Sequence, residues 1–358
     1  MGDLSVKKWF ISTIFILNVV LLAGCGKTND ANGVVNTQSE EIDLSYNQET
    51  DSQSKRCNEA GAFTADGKYY FDYSGSAAGK VLMFTDAKSG QTVPVCSKSN
   101  CSHSGEGCDA YFTNEEYPLP DIYYYEGNLY MPKLFGDYIG FEKVALDGTV
   151  REESIKIMRF SKNTIVMEDG TESESIYYPE MALHRGYVYY SDYYPGCTEC
   201  GLYRLALDDN QEAEMLFEQK DDNPTVYRVK PYGNVVFFQA GKYGNSVDTL
   251  DIGMYMYNIN SGEVQEIIDD AMRYYAVSES SVYYITAEGI NEYDVETGEI
   301  SKFCDLPADI NEGIPDVFYK DDELIYEMNY NSGQVTQYRI TKDGKASEIS
   351  AADWVEEY

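Results

Sequence analysis

The residues in this chain whose type and spacing bear chemistry are cysteines and histidines, and four of them fall together. Cys96, Cys101, His103 and Cys108 lie within 13 residues, in the run Val95-Cys-Ser-Lys-Ser-Asn-Cys-Ser-His-Ser-Gly-Glu-Gly-Cys-Asp-Ala110. Three thiolates and an imidazole suffice for one tetrahedral zinc, although the spacing is looser than paired Cys-x2-Cys knuckles. The same residues allow a disulfide staple, for example Cys101 with Cys108, which leaves His103 as a surface residue. A second pair, Cys197-Thr-Glu-Cys200, has the spacing of redox dithiols. It follows Pro195-Gly196 in a hairpin loop, however, where no helix N-terminus lowers a thiol pKa, so a small structural disulfide is expected there.

Other chemistries find little material. The chain of 358 residues holds 2 histidines, His103 and His184. It has no Gly-x-Ser-x-Gly elbow, no phosphate-cradling glycine loop, no dinucleotide fingerprint and no His-Glu-x-x-His helix. Carboxylates number 61 against 27 basic residues, so any one pair chosen as catalytic would be arbitrary. The formal net charge of -34 removes the electrostatic route to nucleic acid, which requires Lys and Arg to displace counterions. It equally opposes docking on anionic headgroups.

The N-terminus carries an address. Lys7 and Lys8 precede an apolar run from Trp9 to Leu22, too short to span a bilayer, and Ala23-Gly24-Cys25 follows. Leu22-Ala-Gly-Cys25 resembles the lipobox of bacterial lipoproteins. That resemblance implies cleavage after residue 24 and lipidation of Cys25, with a location on the extracytoplasmic face of the cell membrane. Disulfides persist in such a compartment, which favours the staple reading of the cysteines. Residues 26–58 are polar and aperiodic, and are expected to form a flexible tether before a folded domain at 59–358.

That domain repeats. Hairpins ending in an acidic or amide residue and glycine recur at Asp86–Gly90, Asp147-Gly148, Asp208–Asn210, Asn258–Gly262, Asp294–Gly298 and Asp343-Gly344. Each is preceded by a turn and a Tyr-rich strand, such as Glu126-Gly127 before Asn128-Leu-Tyr-Met131. Four strands, A to D, in each unit of roughly 35–50 residues are the period of propeller blades. The reading is all-β: a propeller of six four-stranded antiparallel blades, with a seventh allowed, near 60–98, 118–160, 175–218, 225–269, 272–305 and 314–350. The 34 tyrosines then serve first to fill the wedges between blades.

On these repeats the chain resembles six-bladed propellers of the TolB-like and low-density-lipoprotein-receptor-like group. On the cysteine run it is more closely similar to propeller lipoproteins of Gram-positive gut anaerobes, a resemblance that implies no particular activity. Strand order places A–B and C–D turns on one side of the disc and the long segments on the other. The long segments are 96–121, 159–175, 192–201, 240–253 and 305–315, and the cysteines map to their side or its rim. Tyr138, Tyr193, Tyr194, Tyr243 and Tyr330 on that side are candidates for stacking on a glycan or anchoring a peptide or envelope protein. The expected function is a membrane-anchored binding module. The alternative is an extracellular carbohydrate-active enzyme, a lyase or hydrolase.

Overall fold

The computed structural model describes residues 42–53, 61–73, 78–105, 107–166, 172–207, 212–242, 251–269, 274–320 and 323–350. Among these residues the regular structure is entirely β. Blade 1 is built from β1 (Gly61–Thr64), β2 (Gly67–Asp72), β3 (Gly79–Asp86) and β4 (Thr92–Pro94), with β5 (Tyr111–Thr113) added to β3. Blade 2 comprises β6 (Tyr123–Tyr125), β7 (Asn128–Phe135), β8 (Tyr138–Ala145) and β9 (Arg151–Arg159). A separate hairpin, β10 (Ser161–Val166) with β11 (Glu172–Tyr177), precedes blade 3, which is β12 (Met181–His184), β13 (Tyr187–Ser191), β14 (Glu199–Ala206) and β15 (Glu214–Lys220). Blade 4 is β16 (Pro224–Tyr232), β17 (Val235–Lys242), β18 (Asp251–Asn258) and β19 (Val264–Ile268). Blade 5 is β20 (Tyr275–Val277), β21 (Ser281–Ile285), β22 (Ile290–Asp294) and β23 (Ile300–Cys304). Blade 6 is β24 (Gly313–Lys320), β25 (Glu323–Tyr330), β26 (Val335–Ile340) and β27 (Ala346–Glu348). The fold is a ring of six four-stranded antiparallel blades, as the repeat implies.

Turn chemistry sets the blade register. Glu126-Gly127 (φ 43 and 74) and Arg185-Gly186 (φ 49 and 81) hold both central residues at positive φ, the condition for two-residue hairpins that follow strand twist. A hydrogen bond recurs from blade to blade, in which the residue opening the C–D turn donates its N–H to a carbonyl of the A–B turn. It runs from Ala87 to Asp66, Leu207 to Gly186 and Ile259 to Asn234 (each 2.8 Å), and from Val295 to Ser280 (3.0 Å). These bonds place both kinds of turn on one side of the disc.

The core sits in the seams between blades. Alternation along each strand sends one set of side chains to each neighbour, and the buried residues group accordingly. Tyr69, Phe71, Leu82 and Phe112 meet Ile122, Leu129 and Val144 between blades 1 and 2, while Phe237 and Met254 meet Tyr275, Val282 and Tyr284 between blades 4 and 5. Tyrosines 69, 117, 124, 130, 189, 190, 232, 257, 275, 284, 293 and 326 are all buried, so seam packing takes a large share of this residue type.

Two expectations need correction. Segment 159–175, read as a long loop, contains the β10–β11 hairpin, paired from Ser161↔Tyr177 to Val166↔Glu172. The tether expected over 26–58 is not free along 42–53; its remaining residues, Cys25 and Cys57 lie outside the described residues. Residues 42–53 lie against the A–B turns of blades 2, 3 and 4 and end on β1. Asp43 exchanges hydrogen bonds with Asn234, accepting at its carbonyl and donating to Oδ1 (2.8 and 2.9 Å). The Thr50 carbonyl accepts from the Arg185 N–H, the Glu49 carbonyl from the Glu126 N–H, and the Gln53 amide pairs with both backbone groups of Phe63. Asp51, only 1% exposed, holds the Arg185 guanidinium at 2.8 and 3.2 Å. His184 is fully buried beneath this segment, accepting the Ser52 N–H at Nδ1 and bonding the Gly233 carbonyl through Nε2. A polar sequence without periodicity can therefore dock, because its partners are polar turn groups rather than apolar surface.

Candidate metal centre and channel site

The four metal-ligand residues sit on an excursion from the outer strand of blade 1. β4 and β5 both pair antiparallel with β3, β4 along Met83–Thr85 and β5 along Gly79–Val81. Leu82 joins them, accepting from the Val95 N–H (2.9 Å) and donating to the Ala110 carbonyl (2.8 Å). Strand D of this blade is thus one strand interrupted by residues 96–109, and the cysteine run is a knob pinched off at a single residue. The blade limit expected at residue 98 moves to 113, because the strand resumes after the knob.

Within the knob, one ligand atom from each of Cys96, Cys101, His103 and Cys108 lies within 4.8 Å of all the others. His103 Nδ1 and Cys108 Sγ are 3.4 Å apart. A tetrahedral zinc holds its sulfur ligands about 3.8 Å from one another, so closure on a metal requires movement of roughly 1 Å or less. Asn100 (φ 61) and His103 (φ 53) take the left-handed conformation, which folds the short chain back on itself. Backbone N–H groups face the sulfurs, Ala110 toward Cys108 at 3.3 Å and Lys98 and Asp109 toward Cys96. Burial alone would raise the Cys96 thiol, yet these N–H groups, with the Cys108 and Cys101 thiols, bring it below its ordinary value. Burial pushes Cys108 up to about 12, against the Ala110 N–H and in concert with Cys101 and Cys96. Lys98 anchors the rim through Asp109 (2.6 Å) and the Gly107 carbonyl, and places a positive charge beside the thiols. Arg151 of blade 2 donates to the Asp109 and Tyr111 carbonyls and lies 3.8 Å over the Phe112 ring, pinning the knob to the neighbouring blade. These residues can hold a metal ion.

All six described cysteines are free thiols. The disulfide expected between Cys197 and Cys200 is therefore absent, as is the Cys101–Cys108 staple. The Cys197 thiol reaches the Pro224 carbonyl of blade 4 (3.7 Å) and also contacts the Cys200 thiol, which strand register holds opposite Gln219. Both are buried, and burial drives the Cys200 thiol well above its ordinary value. Cys304 ends strand D of blade 5, and burial raises its thiol to about 11. Blade twist brings such strand ends against the C–D turn of the next blade. A Cβ on Gly344 would meet the Phe303 carbonyl at 2.6 Å, and one on Gly148 would meet the Val95 carbonyl at 2.6 Å.

The candidate tyrosines do not form one site. Tyr138 opens β8 and accepts the Arg159 Nε–H at 3.0 Å. Tyr193 and Tyr194 pack on the seam between blades 3 and 4, and Tyr330 on the seam between blades 5 and 6. Tyr243 lies outside the described residues. Phe112 and Tyr117, within the segment 96–121 taken as long and loop-like, are buried in the first seam, where the resumed strand D carries Phe112 inward and the two rings meet edge to face.

A polar site that composition concealed lies along the innermost strands. Asp121, Glu180, Arg228, Tyr274 and Asp316 each stand five residues before the A–B turn of blades 2 to 6. Their fields overlap. Arg228 lies 3.8 Å over the Tyr274 ring, Arg228 and Lys230 act on both Glu180 and Asp316, and Lys80 acts on Asp121. Burial raises the carboxyls of Asp121, Glu180 and Asp316 above the usual range. Glu180 is nevertheless exposed, on the innermost strand side where a ring of blades surrounds its central channel. The signal was present in the repeat, as a position at constant offset from each turn that turns polar.

Comparison with known proteins bears on the fold alone. No protein-family model matches the chain, and no curated protein does. Solved structures that it resembles include TolB from Acinetobacter baumannii (10% identity, 78% of this chain and 61% of that one, TM-score 0.40). Others are an oligogalacturonate lyase from Vibrio parahaemolyticus (12%, 86% and 80%, 0.48) and the Pyrococcus horikoshii acylaminoacyl peptidase (14%, 81% and 45%, 0.45). The chain thus spans about three fifths of TolB and under half of the peptidase. By its own sheet topology it is a six-bladed β-propeller, and TolB stands among the propellers to which it is similar.

Proposed function

We propose that the chain is a lipid-anchored, extracytoplasmic binding module that takes its ligand at the channel end opposite the A–B turns. One observation carries this reading. Residues 42–53 occupy the A–B turns of blades 2, 3 and 4, whereas Glu180 of the polar ring reaches water. Cys25 supplies the anchor. A structural zinc on Cys96, Cys101, His103 and Cys108 ties the knob to the wall of the disc and takes no part in binding.

The test is a screen of glycan and peptide panels with the mature domain and with Tyr274→Ala, Glu180→Ala and the pair Tyr193→Ala and Tyr194→Ala. Retention on a panel member that is lost in the first two variants supports the channel. Loss only in the third returns the site to the loop tyrosines. The raised carboxyls of Glu180 and Asp316 favour, as a second reading, a carbohydrate-active enzyme with a general acid in the channel. Product release from a glycan, abolished by Asp316→Asn, would establish it. Palmitate labelling lost in Cys25→Ala tests the anchor.

A further inference from the structure

Arg228 is presented in an unusual way. β16 and β17 run in register from Pro224↔Lys242 to Tyr227↔Gln239, and the register then slips by one residue before Lys230↔Phe237. Arg228 occupies this bulge at φ 55, a left-handed conformation inside a strand that a non-glycine residue adopts only when its surroundings impose it. The surroundings do so from two neighbouring blades. Glu180 of blade 3 accepts the Arg228 N–H, and the Tyr275 hydroxyl of blade 5 donates to the Arg228 carbonyl. Val229, the other bulge residue, is buried and fixes the opposite face.

The side chain so aimed has not been satisfied. Its Nε is buried with no hydrogen-bond partner, and the guanidinium forms no ion pair among the described residues. It lies 3.8 Å from the Tyr274 ring centroid and 5.6 Å from that of Tyr227, two aromatic planes that fix its orientation. Lys230 stands two residues further along the same strand. Glu180, whose carboxylate already receives the bulge N–H, is exposed to the channel beside it.

We infer that Arg228 is the receptor for a carboxylate, and that the channel ligand is a small carboxylic acid carrying further hydroxyl or amine donors. This deepens the binding reading and rests on it. A guanidinium offers paired N–H donors that match both oxygens of a planar carboxylate, and a buried unpaired Nε is relieved when those oxygens arrive. The flanking tyrosines give the carbon skeleton a flat surface, and Glu180 accepts from the ligand's donors. The charge of Lys230 offsets that of the neighbouring carboxylates.

Titration calorimetry on the mature domain tests the inference with benzoate and glucuronate, against the neutral counterparts benzamide and glucose. The carboxylates should bind at least tenfold tighter than their counterparts. Arg228→Lys, which keeps the charge and loses the fork, should weaken them by tenfold or more, and Tyr274→Ala by a few-fold. Thermal unfolding confirms that each variant is folded, and Arg228→Gln replaces Arg228→Lys should the latter fail. Equal binding of acids and neutral counterparts, or unchanged affinity in the folded Arg228 variant, overturns the assignment. Panel binding that survives loss of Arg228 also overturns it, while leaving the broader binding reading in place.

Discussion

Zinc loading of the Cys96 knob can be followed by counting protons. Coordination requires thiolates, so each thiol that is protonated beforehand releases a proton when metal binds. Cys108 keeps its proton to about 12, because its sulfur is buried and shares its field with Cys96 and Cys101. Cys96, stabilised as thiolate by the Lys98 and Asp109 N–H groups, gives up its proton first. Three thiols set a ceiling of three protons released per zinc by the sulfur ligands. The number should fall as the pH rises, with Cys96 the first to stop contributing and Cys108 the last. The assay is calorimetric titration of reduced apoprotein in two buffers of different ionisation enthalpy, with metal content measured beside it. The reasoning holds if one zinc binds per chain and the sulfur ligands release two to three protons, the count falling as the pH rises. A count near one, or zinc well below one per chain in reduced protein, refutes the Cys3His site. Air-oxidised protein that binds no zinc and regains it on reduction would show that a disulfide competes for the same sulfurs.

Two further predictions follow from buried charge. Asp51→Ala strands the Arg185 guanidinium; breaking a buried pair costs about 3–5 kcal/mol, and partial exposure of Arg185 (32%) reduces this to about 2 kcal/mol. Urea unfolding should show that loss together with new protease cleavage within 42–53, and a change below about 0.5 kcal/mol would mean that the segment does not clamp the turns. Burial raises the carboxyls of Asp121, Asp192 and Asp316, so the folded state binds protons more tightly than the unfolded chain. Stability from these groups is complete below the ordinary carboxyl value and is lost as pH rises through their raised values. The melting temperature should therefore fall across that window, and Asp316→Asn should flatten the fall; an unchanged slope would count against its burial.

The fold was legible because each blade writes its own turns. Glu126-Gly127 and Arg185-Gly186 demand positive φ locally, and the Tyr-rich alternation beside them declares two buried faces. The knob was legible as a ligand set but not as a place, since nothing in residues 96–110 shows that Leu82 closes the strand around it. The tyrosine candidates were chosen by loop position, and burial redistributed them. Tyr193, Tyr194 and Tyr330 cover seams, while Arg228, which no motif singles out, is singled out by a bulge and its two restraining neighbours.

The amino-acid sequence by itself determined the blade count, the side on which turns gather and the four residues able to grip a metal, because all three follow from interactions within a few residues. Only the tertiary structure decided that residues 42–53 dock, that Cys197 and Cys200 meet as buried thiols at the seam between blades 3 and 4, and that Glu180, Arg228, Tyr274 and Asp316 come within reach of one another. These outcomes depend on groups brought together from different blades. The energy of a polar group is set by the partners that the ring supplies, and those partners are distant in the chain.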